Sequence, residues 1–314
     1  MTPDSKDAAS QAARQPSPLA ELRFSLVGPG RVGTSLASWL VARGARLQTV
    51  AGRDQRSGGP APAAVALAKR LAGRAARLED LSTAGDGLLL LAVPDGALAS
   101  VVERLAAAEQ ATVALHTAGA LPAAALAELV PSAARPRSTA IGSLHPLKAF
   151  PHPLREVAEA AGVVFGIDGD PAAQDLAREI AGAWEAKVVV IPPERRLLYH
   201  FAATFAAGGV VTLLAAACEL AETLGLPSAV AEGYLELARG ALRHTEPGSP
   251  RSAITGPVAR GDAAAVALAL DELSRAAPEL LPTALAIGRE TLRQVQRNSS
   301  SNSAYQAVKG ALER

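Results

Sequence analysis

The chain has 314 residues, enough for two domains and a sizeable buried core. Hydrophobic residues make up 49% and charged residues 19%, the balance of an ordinary soluble globular protein. With 31 basic against 30 acidic residues and no basic patch interleaved with aromatics, nothing in it calls for nucleic acid, and an acidic ligand would be held by local charge alone.

Met1 to Ala20 is polar and lacks the apolar core of a secretory signal, so it reads as a disordered tail on a cytoplasmic protein. The ordered chain is expected to begin with Phe24-Ser25-Leu26-Val27, a short apolar run with the character of a buried strand. Gly28, Gly30 and Gly33 follow at G-x-G-x-x-G spacing. Val32, Leu36 and Leu40 then recur at helical intervals up to Arg43, and Gly44 is placed to end the helix. Strand, glycine turn and helix come in the order a dinucleotide site needs. Gly28 would permit the tight turn, Gly30 the approach of backbone N–H groups to a pyrophosphate, and Gly33 the close packing of helix on strand. The anion would sit on the helix N-terminus among Pro29, Gly30, Arg31, Val32 and Gly33, where unpaired N–H groups and the dipole favour negative charge.

The next strand, Leu47 to Ala51, runs into Gly52-Arg53-Asp54, about 20 residues past the last glycine, where an acidic residue would hold the ribose of NAD. Arg53 stands there instead, with Arg56 and Ser57 close behind. An arginine fork suits a 2′-phosphate and points to NADP, although Asp54 could itself meet a ribose hydroxyl.

An alanine-rich helix is expected over Ala63 to Ala72. Leu88 to Val93 is then a continuous apolar strand of the kind covered on both faces. It stops at Pro94-Asp95-Gly96, where Asp95 could cap the helix from Ala97 to Ala107 and where Val93, Pro94 and Asp95 would border a cofactor at the carboxyl edge of the sheet. A strand from Thr112 to Leu115 delivers His116, Thr117 and Gly119 to the same edge, with backbone approach to the nicotinamide expected at Thr117 and Gly119. Pro122 marks the next helix, running to Leu129. Ser138 to Leu144 is a further strand that ends in His145-Pro146-Leu147-Lys148. Gly162 to Ile167, a helix opened by Asp170-Pro171, and Lys187 to Ile191 complete a pattern that fits a doubly wound parallel sheet.

Past Pro192-Pro193 only helices are expected. Glu194 to Leu224 reads as one long helix, and its stretch Phe201 to Cys218 is 18 residues without charge. That approaches membrane-spanning length, but the abundance of Ala, Gly and Thr and the lack of a second span fit close helix packing better, a dimer interface included. Cys218, the sole cysteine, can form no internal disulfide and reads as a packed thiol. Helices follow over Ala229 to Arg243, Ala263 to Arg275 and Leu281 to Arg297. Asp262 would cap the second of these, Gly256-Pro257 would make a sharp turn before it, and residues 298–314 read as a flexible tail with room for a short helix near the end.

For hydride transfer to a C=O or C=N bond the protein must hold the cofactor, orient the acceptor and supply a proton. The donor candidates are His145, Tyr199, His200 and Lys148, with His145 following a strand at the ligand edge and Tyr199-His200 opening the long helix. Lys148 could instead pair a substrate carboxylate. No G-x-S-x-G elbow, Walker-type loop or H-E-x-x-H occurs, which removes the main hydrolase and phosphotransferase classes.

Taken together, GPGRVG, LAVPD, SLHPL, the Tyr199-His200 helix and TGPVARGD resemble the Rossmann-like oxidoreductases with a helical C-terminal domain of unknown function 2520. That group is similar in turn to pyrroline-5-carboxylate reductases, ketopantoate reductases and 6-phosphogluconate dehydrogenases. The resemblance implies an N-terminal doubly wound Rossmann domain over residues 21–192 and an all-helical C-terminal domain over 193–297 for substrate and dimerisation. It also implies NADP held by Gly28, Gly30, Gly33 and Arg53, a cleft between domains, and a homodimer formed through the long helix. Such helices often carry an asparagine further along, where this chain has Gly208-Gly209. Relatives acting on hydroxyacids use a helix lysine, where this chain has Arg195 and Arg196, which could hold a carboxylate but cannot release a proton at neutral pH. The expected function is NADPH-dependent reduction of a small 2-oxo acid, ketopantoate-like, or of a cyclic imine acid, with Arg195 or Arg196 on the carboxylate and His145 or His200 near the proton. The alternative is a non-catalytic NADP-binding sensor or scaffold.

Overall fold

The computed structural model describes residues 19–53, 58–83, 85, 87–105, 111–129, 139–154, 156–245, 250–297 and 303–313. Asp54, Arg56 and Ser57 lie outside them, as do Ser138, most of the expected N-terminal tail and residues 298–302 of the C-terminal one. The chain forms two compact units divided between Thr204 and Phe205.

In the first unit strands and helices alternate as the apolar runs require. They are β1 (Arg23–Val27), α1 (Arg31–Ala42), β2 (Arg46–Ala51), α2 (Pro62–Arg70), β3 (Arg74–Ala76), β4 (Leu88–Leu91), α3 (Leu98–Leu105), β5 (Val113–His116), α4 (Ala124–Leu129), β6 (Ala140–Pro146), β7 (Val164–Gly169), α5 (Pro171–Ala183), β8 (Lys187–Val190) and α6 (Arg196–Thr204). The strands form one sheet in the order β3-β2-β1-β4-β5-β6-β7-β8. The order reverses between β1 and β4, the switch point at which open sheets of this kind bind ligands.

Both faces of the central strands are buried, so their sequences are apolar throughout rather than alternating. Phe24 and Leu26 of β1 with Leu88 and Leu90 of β4 point into one core, alongside Trp39 and Trp184. Val27, Leu89 and Leu91 point into the other, against Leu98 and Val102 of α3. The fold begins before Ala20: Leu19 is buried, and its N–H donates to the carbonyl of Arg43 at 3.2 Å.

One pairing departs from the expected parallel core. β6 and β7 run antiparallel, with His145 opposite Gly166 and Ser143 opposite Asp168. A parallel pair needs a crossover, usually a helix, and between β6 and β7 the described chain forms only a single short turn of 3₁₀ helix, Val157–Ala160. The remaining pairs are parallel, so the carboxyl ends of β1, β4, β5 and β6 share one edge.

Helical backbone runs from Pro193 to Thr223, through α6, a π-helical turn at Phe205–Gly209 and α7 (Val210–Thr223). By length and composition this segment could cross a bilayer, but one such helix is weak evidence for a membrane protein. The glycines Gly208-Gly209 fall in the π turn, where a helix ladder is locally interrupted. The second unit continues with α8 (Ala229–Arg243), α9 (Pro257–Arg260), α10 (Ala263–Ala276), α11 (Leu281–Gln296) and α12 (Ser303–Leu312). Asp262 caps α10 as expected, accepting from the Ala265 N–H at 3.0 Å. Gly256 takes φ +101°, open to glycine and strained for other residues, which lets α9 start abruptly at Pro257. α12 lies in the stretch read as a flexible tail, and its Val308 and Leu312 pack with Val266 and Leu292 in the core of this unit.

Candidate active site

The glycine turn has the geometry that its spacing implies. Gly28 has φ +94°, and a Cβ there would collide with the carbonyl of Ala92 at the end of β4. A Cβ on Gly33 would strike the Gly28 carbonyl, so this glycine sets how closely α1 packs on β1. Gly30 is different. A Cβ there would meet nothing within 4 Å, although the residue is the N-cap of α1 in an ordinary extended conformation. No side chain caps that helix and its first turn holds no acidic residue, so among the described residues nothing meets its first N–H groups and the positive end of its dipole. Thr34, at the inner side of the turn, donates its hydroxyl hydrogen to the Pro29 carbonyl at 3.2 Å. Arg31 is exposed, Val32 half-buried, and Arg53 stands exposed just past the end of β2. These residues fit a dinucleotide: an uncapped helix end for a pyrophosphate, room over Gly30, and a guanidinium at the strand that receives the ribose.

A row of contacts leads from this turn along the sheet edge. Gly28 abuts Ala92 and Val93, and the Thr117 N–H donates to the carbonyl of Leu91 at 3.0 Å. Pro94 is exposed and Asp95 half-buried. Asp95 does not cap α3 as expected. Its carboxylate accepts from the Ala120 N–H at 3.2 Å, tying the loop after β4 to the loop after β5.

At the end of that row stands a cluster of rings. His145 Nδ1 lies 3.0 Å from the Tyr199 hydroxyl, and the His145 ring meets the Tyr199 and His200 rings edge to face at 5.5 and 5.4 Å. Gly119 closes the third side. A Cβ on it would overlap His200 Nδ1 and come within 2.8 Å of His145 Nε2, so the backbone of the β5 loop lies directly against both imidazoles. Burial first, and then the nearby His200 and the Arg196 guanidinium, lower the pKa of His145 to about 4. Burial also raises that of the Tyr199 phenol. Both groups are therefore neutral at physiological pH. His116, wholly buried behind the loop, is likewise lowered to about 4 by desolvation, and its Nε2 lies 3.3 Å from the Pro122 carbonyl.

Beneath the rings lies a polar node that the sequence reading did not foresee. Arg196 is fully buried, donating through Nη1 to Asp168 Oδ1 at 2.9 Å and through Nη2 to the Ala118 carbonyl at 3.0 Å. Asp168 also accepts from the Ser143 hydroxyl and, through Oδ2, from the Ala123 N–H at 2.9 Å. Desolvation pulls the Arg196 pKa down while Asp168 opposes it, and a guanidinium keeps its proton under these conditions. This corrects the expectation that Arg196 holds a substrate carboxylate, because its outer nitrogens are already spent inside the protein. Arg195 and Lys148 are exposed instead. Asp168 is the one acid within the otherwise uncharged strand β7, VFGIDG, a place where a carboxylate needs a partner, and that is its signal in the sequence. Tyr199 and His200 reach His145 from α6 within the same compact unit, so the expected boundary at residue 192 gives way to one after Thr204.

A switch-point sheet, a glycine turn opening on an uncapped helix and ligand-facing loops along one edge define a Rossmann-class protein. More narrowly, a model of the Rossmann-like domain matches residues 6–142 and the model described as domain of unknown function DUF2520 matches residues 163–291. The chain is thus a Rossmann-like protein bearing a DUF2520 domain.

Among solved structures it is similar to a protein of Bacteroides fragilis described as a candidate NADP oxidoreductase, at 23% identity and TM-score 0.68 over 86% of this chain and 97% of that one. It is also similar to a Thermotoga maritima protein, at 22% identity and TM-score 0.67 over 88% and 99%. A Plasmodium falciparum pyrroline carboxylate reductase, solved with NADP bound, matches at 13% identity and TM-score 0.54 over 93% and 99%. These likenesses establish the shared fold. No curated protein matches the sequence.

Proposed function

We propose that this protein is an NADPH-dependent reductase of a small carboxylate-bearing substrate, either a ketopantoate-like 2-oxo acid or a cyclic imine acid. The observation that carries the reading is that the glycine turn, packed on Ala92 after β4, the Thr117 loop bonded to Leu91, and Gly119 against His145 and His200 follow one another along one sheet edge to the His145–Tyr199 pair. A dinucleotide seated on Gly28, Gly30 and Gly33, with its 2′-phosphate met by Arg53, would extend along that row. Val93, Pro94 and Asp95 would border it, and Thr117 and Gly119 would lie beside its reactive end.

The bound cofactor would supply the hydride. The protein's part is to exclude water, orient the acceptor and hold a transferable proton at the Tyr199 hydroxyl and the His145 imidazole. Arg195 and Lys148, exposed beside the cluster's two elements, are the basic groups left for the substrate carboxylate. Among fold neighbours, the Plasmodium protein is a pyrroline carboxylate reductase and a Streptomyces aurantiacus protein (TM-score 0.55, 18% identity) is an imine reductase, which supports keeping the imine acid alongside the 2-oxo acid in this proposal. We also assign the homodimer to the apolar side chains left in solvent on the long helical stretch, among them Leu197, Leu198 and Val211. Sedimentation of wild-type and Leu198→Glu/Val211→Glu proteins tests that assignment, with the variant expected to become monomeric.

One observation favours a non-catalytic NADP-binding sensor as the second reading: Arg196, placed on the same helix as Tyr199 and His200, is consumed by Asp168. Titration with NADPH and NADH, followed by NADPH oxidation against a panel of 2-oxo and cyclic imino acids, separates the readings. Absence of nucleotide binding ends both. Binding with no turnover across the panel, in wild type as in His145→Ala and Tyr199→Phe, leaves the sensor.

A further inference from the structure

We propose that Arg196, Asp168 and Ser143 form a positioning device that aligns the His145–Tyr199 pair, an inference that rests on the reductase reading for its catalytic consequence but not for its structural one. Each member of the node is linked by short-range geometry to one part of the ring cluster. Arg196 precedes Tyr199 by three residues and His200 by four, so all three share a face of α6. Ser143 precedes His145 by two on β6, on the same face of the strand. Ala118, whose carbonyl accepts from Arg196, adjoins Gly119, the residue pressed against His145 and His200.

Asp168 gathers the rest: the Ser143 hydroxyl, Arg196 Nη1 and the Ala123 N–H all converge on its two oxygens, and its own N–H donates to Ser143 Oγ at 3.1 Å. One carboxylate therefore ties β6, β7, α6 and the loop after β5. These include every element that contributes a ring or a wall to the cluster. The guanidinium is used as a two-pronged spacer, one prong on the carboxylate and one on the loop, a task its rigid planar fork performs and a lysine cannot. A buried ion pair of this kind is weak evidence for added stability, since apolar replacements often fold as well, and specificity of arrangement is the better-founded role.

That distinction supplies the test. In Asp168→Leu/Arg196→Met the node is replaced by apolar side chains, and in Arg196→Lys the charge is kept while the fork is lost. The primary readout is the ring-nitrogen NMR signature of His145 in the free protein, with Tyr199→Phe marking what loss of the His145–Tyr199 hydrogen bond looks like. The wild type should show one tautomer held at Nδ1. Both node variants should show the averaged signature of Tyr199→Phe while retaining a cooperative thermal transition. If the double variant fails to fold, Asp168→Asn, nearly isosteric and uncharged, is read in the same way.

The second readout is kinetic. NADPH dissociation constants should stay within about twofold of wild type, since the node does not touch the glycine turn, while kcat on the active panel substrate falls at least tenfold. A wild-type His145 signature in the folded variants overturns the proposal, as does equal loss of NADPH affinity and kcat. A wild type that turns over no substrate removes the reductase reading alone, because the NMR arm still decides the node.

Discussion

His145 Nδ1 at the end of β6 and the Tyr199 hydroxyl on α6 lie 3.0 Å apart, joining residues distant in sequence through a hydrogen bond between two neutral groups. The bond occupies Nδ1 and leaves Nε2 on the side of Gly119. In the proposed reductase the neutral imidazole and neutral phenol would pass a proton as a connected pair, so removing either should slow turnover without loosening the cofactor. Tyr199→Phe and His145→Ala are each expected to lower kcat by about 10²- to 10⁴-fold, with NADPH affinity unchanged in a fluorescence titration. Their effects should be far from additive in the double variant, because the two side chains act as one unit. Additive losses would show two separate roles.

The two histidines held neutral by burial link stability to pH. His116 and His145 have folded pKa values of about 4, against 6.5 unperturbed. Between those limits the unfolded chain takes up protons at both positions that the folded chain does not, so stability falls as pH falls. Their stabilising contribution is complete above pH 6.5 and is lost on the way down to about pH 4, with a combined magnitude of the order of a few kcal/mol. Denaturant midpoints measured from pH 7.5 to 4 should show this slope, and His116→Asn should flatten it. A midpoint that holds steady down to pH 4.5 would contradict the neutral assignment.

The three glycines of the turn are expected to fail in different ways when changed to alanine. Gly28→Ala would force a Cβ onto the Ala92 carbonyl at positive φ, and Gly33→Ala would force one onto the Gly28 carbonyl, so each should destabilise the fold by about 1–3 kcal/mol. Gly30→Ala meets open space in an allowed conformation, and its stability should stay within about 0.5 kcal/mol of wild type. NADPH binding should nonetheless weaken at least tenfold, because the methyl group occupies the space a pyrophosphate needs. Thermal melts paired with titrations of the three variants check the split. Undiminished binding by Gly30→Ala would place the pyrophosphate elsewhere.

What could be read from the sequence follows from how local the cause is. The glycine turn, the buried strands and the helix starts depend on neighbours a few residues apart, so β1, α1, β4 and the Asp262 cap stand where periodicity put them. The antiparallel β7 depends on what is missing from the connection before it, a crossover helix, which an apolar run cannot reveal on its own. In the sequence Arg196 is a candidate equal to Arg195 for a substrate carboxylate. Its spacing of three and four from Tyr199 and His200 put it on their face of the helix, but its partner comes from β7, far away in sequence. Asp95 shows the same limit: a capping position near a helix start was legible, whereas the Ala120 N–H that claims its carboxylate lies on another loop.

The proposed preference for NADPH over NADH rests on Arg53. It is exposed just past β2, the strand whose end meets the adenosine ribose in this fold class. A charge-assisted hydrogen bond to a 2′-phosphate contributes about 1.5–3 kcal/mol, so Arg53→Ala should weaken NADPH binding by roughly 10- to 100-fold. NADH lacks that phosphate, and its affinity should change by less than about threefold. The melting temperature should stay within about 1 °C, which separates lost recognition from lost structure. The ratio of NADPH to NADH dissociation constants, measured in wild type and variant at one fixed salt concentration, is the deciding quantity, since ionic strength alone shifts a phosphate contact. An unchanged ratio would move the discrimination away from the end of β2.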